Sequence, residues 1–530
     1  MRRRGAGLRA AALALALLAL LALLAAGCGT ADGGSPGREA AGGDAAQAAS
    51  EPGASGAAAA EPAAAELAAP GVAREPAQPS PPPERTTYEV DVVFRPDERR
   101  LEGVTTAIVR NDVASPTGEA RLLAHLNAFE GDAVAASDPV LPEFRERAYP
   151  DDFAGGGLTV LRASANGRPV SFDARGTSIA LALPDAWEPG EWLRLELAWE
   201  ARLPNVRHRF GADGGAYWFG NALPTMAVFD GVWRDYAYEP VGDPFYTTVA
   251  DYRVRVTAPS EFEIVATGDE TAVPADGGLT VTTVDAPRVR DFAFAATSEH
   301  RLLQAASAGG ARVNVYVRKT SEARAKAALR DAAGMLDYLE TRVGDYPYGE
   351  LDLFENEMFV TGMEYPGLVF VRADRLNEEA GRETVVHEVA HQWFYNVVGN
   401  DQVAEPWLDE GFATYMTDAY LLGGRLDAEY ERRLARLGGN ARIGPVTDYD
   451  RWSDYWRGNY RKGALLLHAL RGELGAETFD AFLRSYYDAF RYGVATTAGF
   501  AAAAEAAAGR ELDEWFASWL GDQFAVGASP

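Results

Sequence analysis

The residues of this chain best placed to do chemistry are His387-Glu388-Val389-Ala390-His391. On a helix, side chains four apart share a face, so both imidazoles can reach one ion. Imidazole nitrogen suits zinc, and catalytic zinc sites keep three protein ligands plus one position for water. Glu388 is placed on the same helix to hold that water and accept its proton. The third ligand has to come from a following helix, and Trp407-Leu408-Asp409-Glu410-Gly411-Phe412 offers two adjacent carboxylates. Helical phase alone does not separate Asp409 from Glu410. Only six His occur in the chain. The other four, His125, His208, His300 and His468, carry no comparable pattern and are read as structural.

Elements able to position these groups can be read on either side of them. Tyr88, Val90, Val92 and Phe94 alternate with polar residues, which is strand periodicity. Similar short runs, among them Leu193–Trp199 and Tyr252–Val256, continue to about Ala296, punctuated by Gly, Pro and Asp. Two further strands, Val313–Val317 and Leu351–Phe354, precede helical patterns over 322–341, 383–397, 409–421, 461–474 and 478–490, and the segment up to Trp519 is mostly helical. The fold class is multidomain α+β. An all-β, antiparallel N-terminal domain (86–311) is followed by a mainly helical domain (312–530) that carries the His pair.

At this level of detail the chain resembles the aminopeptidase N family of zinc metallopeptidases, which includes the leukotriene hydrolase branch. HEVAHQWFYN followed by WLDEGFATY carries the resemblance. Gly362-Met363-Glu364-Tyr365-Pro366 is similar to the family's Gly-x-Met-Glu-Asn exopeptidase motif, and Tyr460-Arg461-Lys462-Gly463-Ala464 to its Tyr-x-Lys-Gly-Ala. Leu101-Glu102-Gly103 and Gly242-Asp243-Pro244-Phe245-Tyr246 resemble markers of its saddle-shaped β domain. The resemblance spans roughly residues 86–520. It implies a thermolysin-like catalytic domain and one Zn2+ per chain, held by His387, His391 and Glu410. Glu388 is the implied general base, and Tyr460 the implied donor to the oxyanion. Gly362, Met363 and Glu364 are the implied substrate-binding residues: Glu364 grips the peptide's free α-amino group, and Gly362 leaves an edge-strand backbone free to pair with the peptide.

The implied activity is a zinc-dependent aminopeptidase acting on peptides. The same metal chemistry also suits an endopeptidase or a hydrolase of another bond, and a non-catalytic surface peptide-binding protein is the rival outside enzymes. Tyr365 stands where the family usually has Asn, and Tyr395 where it has Gly. Both are expected to add bulk and reshape the pocket. Many members carry a C-terminal helical-repeat domain; this form is expected to lack it and to have a more open cleft.

The first residues read as an address. Arg2, Arg3, Arg4 and Arg9 precede an Ala/Leu run from Ala10 to Ala26, and Leu24-Ala25-Ala26-Gly27-Cys28 resembles a bacterial lipobox. The expectation is a signal peptide (1–27), lipidation of Cys28 and a lipid-anchored protein facing outward from the bacterial membrane. Residues 28–85 are rich in Ala, Gly and Pro and read as a disordered tether. Cys28 is the only cysteine, so no disulfide supports the fold. The formal net charge of −27 excludes nucleic acid as a partner and fits a self-repelling exported monomer.

Overall fold

A computed structural model describes residues 83–131, 139–378 and 381–521. The signal segment, Cys28 and nearly all of the tether lie outside the described residues.

The alternation that marks strands in the sequence becomes a buried face and a wet face. In β1 (Thr87–Arg95), Tyr88, Val90, Val92 and Phe94 are buried, while Glu89 and Asp91 are exposed. This strand lies inside an eight-stranded sheet. Its main members are β2 (Arg100–Arg110), β3 (Gly157–Ala165), β4 (Trp192–Arg202), β5 (Ala250–Pro259), β6 (Asp269–Ala275) and β7 (Leu279–Val289), in the order β6-β7-β5-β1-β2-β4-β3. Two four-stranded sheets and a two-stranded one (Val228–Phe229 with Trp233–Arg234) complete the β half. The expected antiparallel character holds except at the centre, where β1 and β5 run parallel, Val90 facing Val254. A parallel neighbour needs a long crossover; here the chain builds β2 to β4 and much of the smaller sheets before it returns. Gly103 sits under the Trp199 indole: a Cβ there would lie 2.3 Å from the ring. The Leu-Glu-Gly motif is thus a packing device of β2.

The helical half is built on a five-stranded sheet of β8 (Arg301–Ala306), β9 (Arg312–Val317), β10 (Glu350–Asn356), β11 (Gly362–Tyr365) and β12 (Leu368–Arg372), ordered β8-β9-β10-β12-β11. β8 and β9 form a hairpin, so this sheet begins ahead of residue 312. Parallel β9 and β10 are joined by α1 (Glu322–Arg342), whose Ala325, Leu329, Ala332, Leu336 and Leu339 face the core. β11 pairs only with β12 and is an edge.

The helices that follow include α2 (Gly381–Ala390), α3 (Trp407–Leu422), α4 (Gly463–Leu474), α5 (Ala476–Phe490), α6 (Thr497–Ala508) and α7 (Asp513–Leu520), with a further helix, Leu426–Arg436, between α3 and α4. A wide-turned π segment, Trp456–Lys462, leads into α4. α2 stops at Ala390 rather than running to 397. Among the described residues no helix is long and apolar enough to cross a membrane.

α3 and α4 cross where two glycines meet: a Cβ on Gly463 would lie 3.0 Å from the Gly411 Cα. The crossing sets the distance between Glu410, next to Gly411, and the π segment that ends before Gly463. Gly463→Val is expected to force the helices apart and to lower stability by about 1–3 kcal/mol, measured by chemical denaturation; an unchanged midpoint and slope would show that the crossing tolerates bulk.

Candidate active site

α2 presents His387 and His391 one turn apart, and α3 brings Glu410 beneath them. His387 Nε2 lies 3.1 Å from His391 Nε2 and 3.1 Å from Glu410 Oε2, and the third edge, His391 Nε2 to Glu410 Oε2, is 3.4 Å. Zinc bonds of about 2.0–2.1 Å at tetrahedral angles require ligand-to-ligand edges of about 3.3 Å. The triangle fits. Glu410 rather than Asp409 completes it, because Asp409 is held elsewhere: its Oδ1 accepts the Glu410 backbone N–H and its Oδ2 the Gln402 amide, at 2.8 Å.

The imidazole is oriented from behind. The Nδ1 of His391 faces the Phe394 carbonyl at 3.0 Å, which leaves Nε2 free to bind a cation. That carbonyl is available because the helix has already ended. Residues 391–393 form turns, Phe394 bridges to Val398, and Tyr395 takes φ 106°, a conformation ordinarily reserved for glycine. The Tyr395 phenol donates to Asp291 in the β half, and its carbonyl accepts from Arg290 Nε at 2.9 Å. Arg290 is fully buried, and it also donates to the carbonyls of Thr247 and Gly493. Tyr395 therefore points away from the cleft and does not reshape it.

After the turn the chain clamps the hairpin that carries Glu364. Gln392 binds both ends of the β11–β12 turn, through the Tyr365 carbonyl at 3.0 Å and the Gly367 N–H at 2.9 Å. Asn396 donates to the Glu364 carbonyl at 2.7 Å. Strand alternation then sorts the exopeptidase motif. Gly362 and Glu364 face the cleft, whereas Met363 and Tyr365 face the β half. Met363 is thus corrected from a substrate contact to a core residue: it is 2% exposed, and its sulfur lies 3.3 Å from Arg209. Tyr365 is likewise buried, beside Gly220, and leaves the pocket shape alone. Gly362 has a second use besides a free edge. A Cβ there would lie 2.0 Å from Glu388 Oε1, so only glycine lets the Glu388 carboxylate sit beside the strand.

Tyr460, on the π segment, stacks parallel to the His387 ring with centroids 5.7 Å apart and donates to Glu410 Oε1 at 2.5 Å. Asp243, from the Gly-Asp-Pro-Phe motif, joins the same wall with its partner Arg209 at 2.6 Å. The sequence offered that motif only as a β-domain marker. Among the other histidines, His208 reaches the cleft wall, but burial and Arg209 push its ring well below the usual range and keep it neutral. His300 stacks on Phe354, and His468 packs against Tyr430.

These groups line one cleft of about 460 Å³. Its floor is acidic and buried. Burial, reinforced by the charges of Glu410 and Asp243 against the opposing pull of His391, pushes Glu388 up to about 8. Burial and then Asp243 raise Glu364 well above the carboxylate range. Glu410 runs the other way: burial opposes its charge, but His391 and His387 hold it down to about 2. Burial works against a charged His391, yet Glu364 and Glu410 raise it well above the imidazole range. The cluster calls for positive charge at the position a cation would occupy.

The sequence model of the peptidase family M1 domain matches residues 327–519. This part of the chain is similar to the peptidase family M1 domain. Aminopeptidase M1-A from Oryza sativa subsp. japonica is 31% identical over 249 residues, covering 42% of this chain and 28% of that protein. Leukotriene A-4 hydrolase from Xenopus laevis is 29% identical over 209 residues, covering 36% and 34%. The chain therefore spans about a third or less of the length of these curated relatives. The crystal structure of the M1 zinc metallopeptidase from Deinococcus radiodurans superposes with a TM-score of 0.60 at 22% identity, covering 84% of this chain and 93% of that one. The two share a fold that takes in the β half as well as the M1 domain.

The hydrogen bonding within the M1 domain separates the two adjacent carboxylates. Glu410→Gln is expected to remove most of the zinc that co-purifies with the protein, while Asp409→Asn keeps it, as read by elemental analysis after gel filtration. Equal zinc loss in both would make Asp409 a ligand too.

Proposed function

We propose that this protein is a zinc-dependent aminopeptidase that removes residues one at a time from the free N-terminus of peptides. The observation that carries the reading is the closeness of Glu364 to the metal triad. Ligand atoms of Glu364, Glu388 and His391 lie within 4.8 Å of one another. In a peptide the amino nitrogen and the carbonyl carbon of the same residue are about 2.5 Å apart. An ammonium held by Glu364 therefore leaves room for one residue before the carbonyl reaches the metal ligands. An internal peptide bond would need space where Glu364 and its Gln402 partner stand, 2.9 Å apart.

His387, His391 and Glu410 would hold the zinc, which when bound supplies Lewis acidity toward a carbonyl oxygen and a water. Glu388 takes a proton from the attacking water and passes it to the leaving amine; a carboxyl raised by burial suits both directions of transfer. Tyr460 turns its hydroxyl from Glu410 to the oxygen that gains charge. Glu364 and the β11 edge fix the start and the direction of the peptide.

The test uses purified protein with zinc and one unstructured peptide in free and N-acetylated forms. Stepwise N-terminal trimming of the free form only, stopped by a chelator, is the expected result. Glu364→Ala should lower kcat/KM on the free peptide by about 100-fold or more without restoring cleavage of the blocked one. Internal cuts in both forms would favour an endopeptidase.

We further propose that the protein is exported and anchored through lipid on Cys28, a reading supported by the basic start, the apolar run and the Leu-Ala-Ala-Gly-Cys order. Fatty-acid labelling in a bacterial host is expected to mark the wild type and not Cys28→Ser, with the variant leaving the membrane fraction. Label on both would end this reading.

A further inference from the structure

A carboxylate that is to place a substrate's ammonium has itself to be held. A Glu side chain turns about several bonds, and an ion pair alone fixes no angle. The backbone of Glu364 is fixed by Asn396, which donates to its carbonyl at 2.7 Å. The side chain is fixed by Gln402, whose Nε2 donates to Glu364 Oε1 at 2.9 Å. With Oε1 taken, Oε2 is the oxygen left for the cleft that Glu364 lines.

Gln402 is held in its turn from two sides. Its Nε2 also donates to Asp409 Oδ2 at 2.8 Å, and Asp409 Oδ1 accepts the Glu410 N–H at 2.9 Å. The turn that carries Gln402 is pinned by Asp401. Its Oδ1 accepts the N–H groups of Val403 and Ala404, each at 3.0 Å, and its Oδ2 accepts the hydroxyl of Tyr236 from the β half at 2.7 Å.

An amide can sit with its nitrogen or its oxygen forward. Here the neighbours decide, because both are carboxylate oxygens and an amide N–H is the donor they lack. The placement leaves Gln402 Oε1 buried with no hydrogen-bond partner, in a residue only 1% exposed. A buried carbonyl oxygen without a donor destabilises a fold. The amide is thus arranged for the two carboxylates and against its own pairing, as residues kept for a site often are. Gln402 is not part of the cleft lining, so it acts through Glu364 and not on a substrate.

The bonds also join elements that carry different parts of the site. Glu364 belongs to β11, Gln402 to the loop between α2 and α3, and Asp409 and Glu410 to α3. The chain of contacts runs from the Glu364 carboxylate through the Gln402 amide and the Asp409 carboxylate to the backbone of Glu410. A displacement of α3 therefore carries the Glu364 side chain with it, and the distance from amine anchor to metal triad is kept.

We propose that Gln402, aimed by Asp409, is the positioning residue that sets this distance: it holds Glu364 so that Oε2 receives the ammonium, and it ties the anchor to the helix that carries Glu410. The inference rests on the aminopeptidase reading and adds the pair of residues that brings the first peptide bond into register.

The test uses the full chain loaded with zinc. It measures KM and kcat for one free tripeptide, and the inhibition constant of the N-acetylated tripeptide. Gln402→Met keeps the length of the side chain and removes the amide. It is expected to raise KM about 10-fold and to change kcat far less. The inhibition constant of the acetylated form should stay as it is, because that form brings no ammonium. Asp409→Asn is the second variant. Its amide can donate to Gln402 Oε1, turn the Gln402 amide round and set an acceptor against Glu364. KM is then expected to rise as in Gln402→Met, with the zinc content kept. In a Glu364→Ala background neither substitution should raise KM further. An unchanged KM in Gln402→Met, or an effect that adds in full to that of Glu364→Ala, overturns the proposal. So does an equal weakening of the acetylated peptide, which is what a merely structural role gives. Where Gln402→Met does not fold, Asp409→Asn decides by the same readings. If Glu364→Ala itself leaves KM unchanged, the amine anchor fails and the proposal with it; an effect of Glu364→Ala with none of Gln402→Met sinks the proposal alone.

Discussion

Glu364, Glu388 and Glu410 sit on one buried floor with Asp409 buried behind it, and their mutual repulsion is the constraint the surrounding structure answers. Carboxylates at these separations away from water cannot all be charged unless positive charge or donors are supplied. Two imidazoles face Glu410, a phenol caps its other oxygen, and one Gln402 amide serves both Glu364 and Asp409 at 2.9 and 2.8 Å. What remains unbalanced is the charge that a divalent cation and a substrate ammonium would bring. On the proposed reading, binding of both would complete a deficit built into the fold, with Glu388, raised by burial, as the group that exchanges a proton.

Helix geometry made part of this legible in advance. His387, Glu388 and His391 follow from a spacing of four, and the strands of the β half follow from alternation. The chemistry that separates Glu410 from Asp409 does not: it depends on Gln402, which reaches Asp409 across a turn no periodicity marks. Met363 could have been placed correctly, since a strand that points Glu364 into the cleft must point its neighbour out. The role of Asp243 could not, because its meeting with the edge strand joins residues more than a hundred positions apart.

The end of α2 shows how local and global signals compete. Residues 383–397 carry apolar side chains at helical intervals, yet the helix stops at Ala390. A glycine at 395 would have announced the turn. Tyr395 adopts the same backbone conformation without that signal, and the strain is offset by a buried phenol bonded to Asp291 and a carbonyl bonded to Arg290. Tertiary contacts have taken over the task that local conformational freedom performs elsewhere.

That arrangement also ties the two halves together. Arg290 is a fully buried cation whose three bonds end on Thr247, Tyr395 and Gly493, one carbonyl in the β half and two in the helical half. If the halves part, the guanidinium gives up the Tyr395 and Gly493 carbonyls of the helical half and the charged hydrogen bonds they accept. The β half and the helical half are thereby linked through one buried cation, so that the β11 edge, Glu364 and the His387–His391–Glu410 triad are lost or kept together.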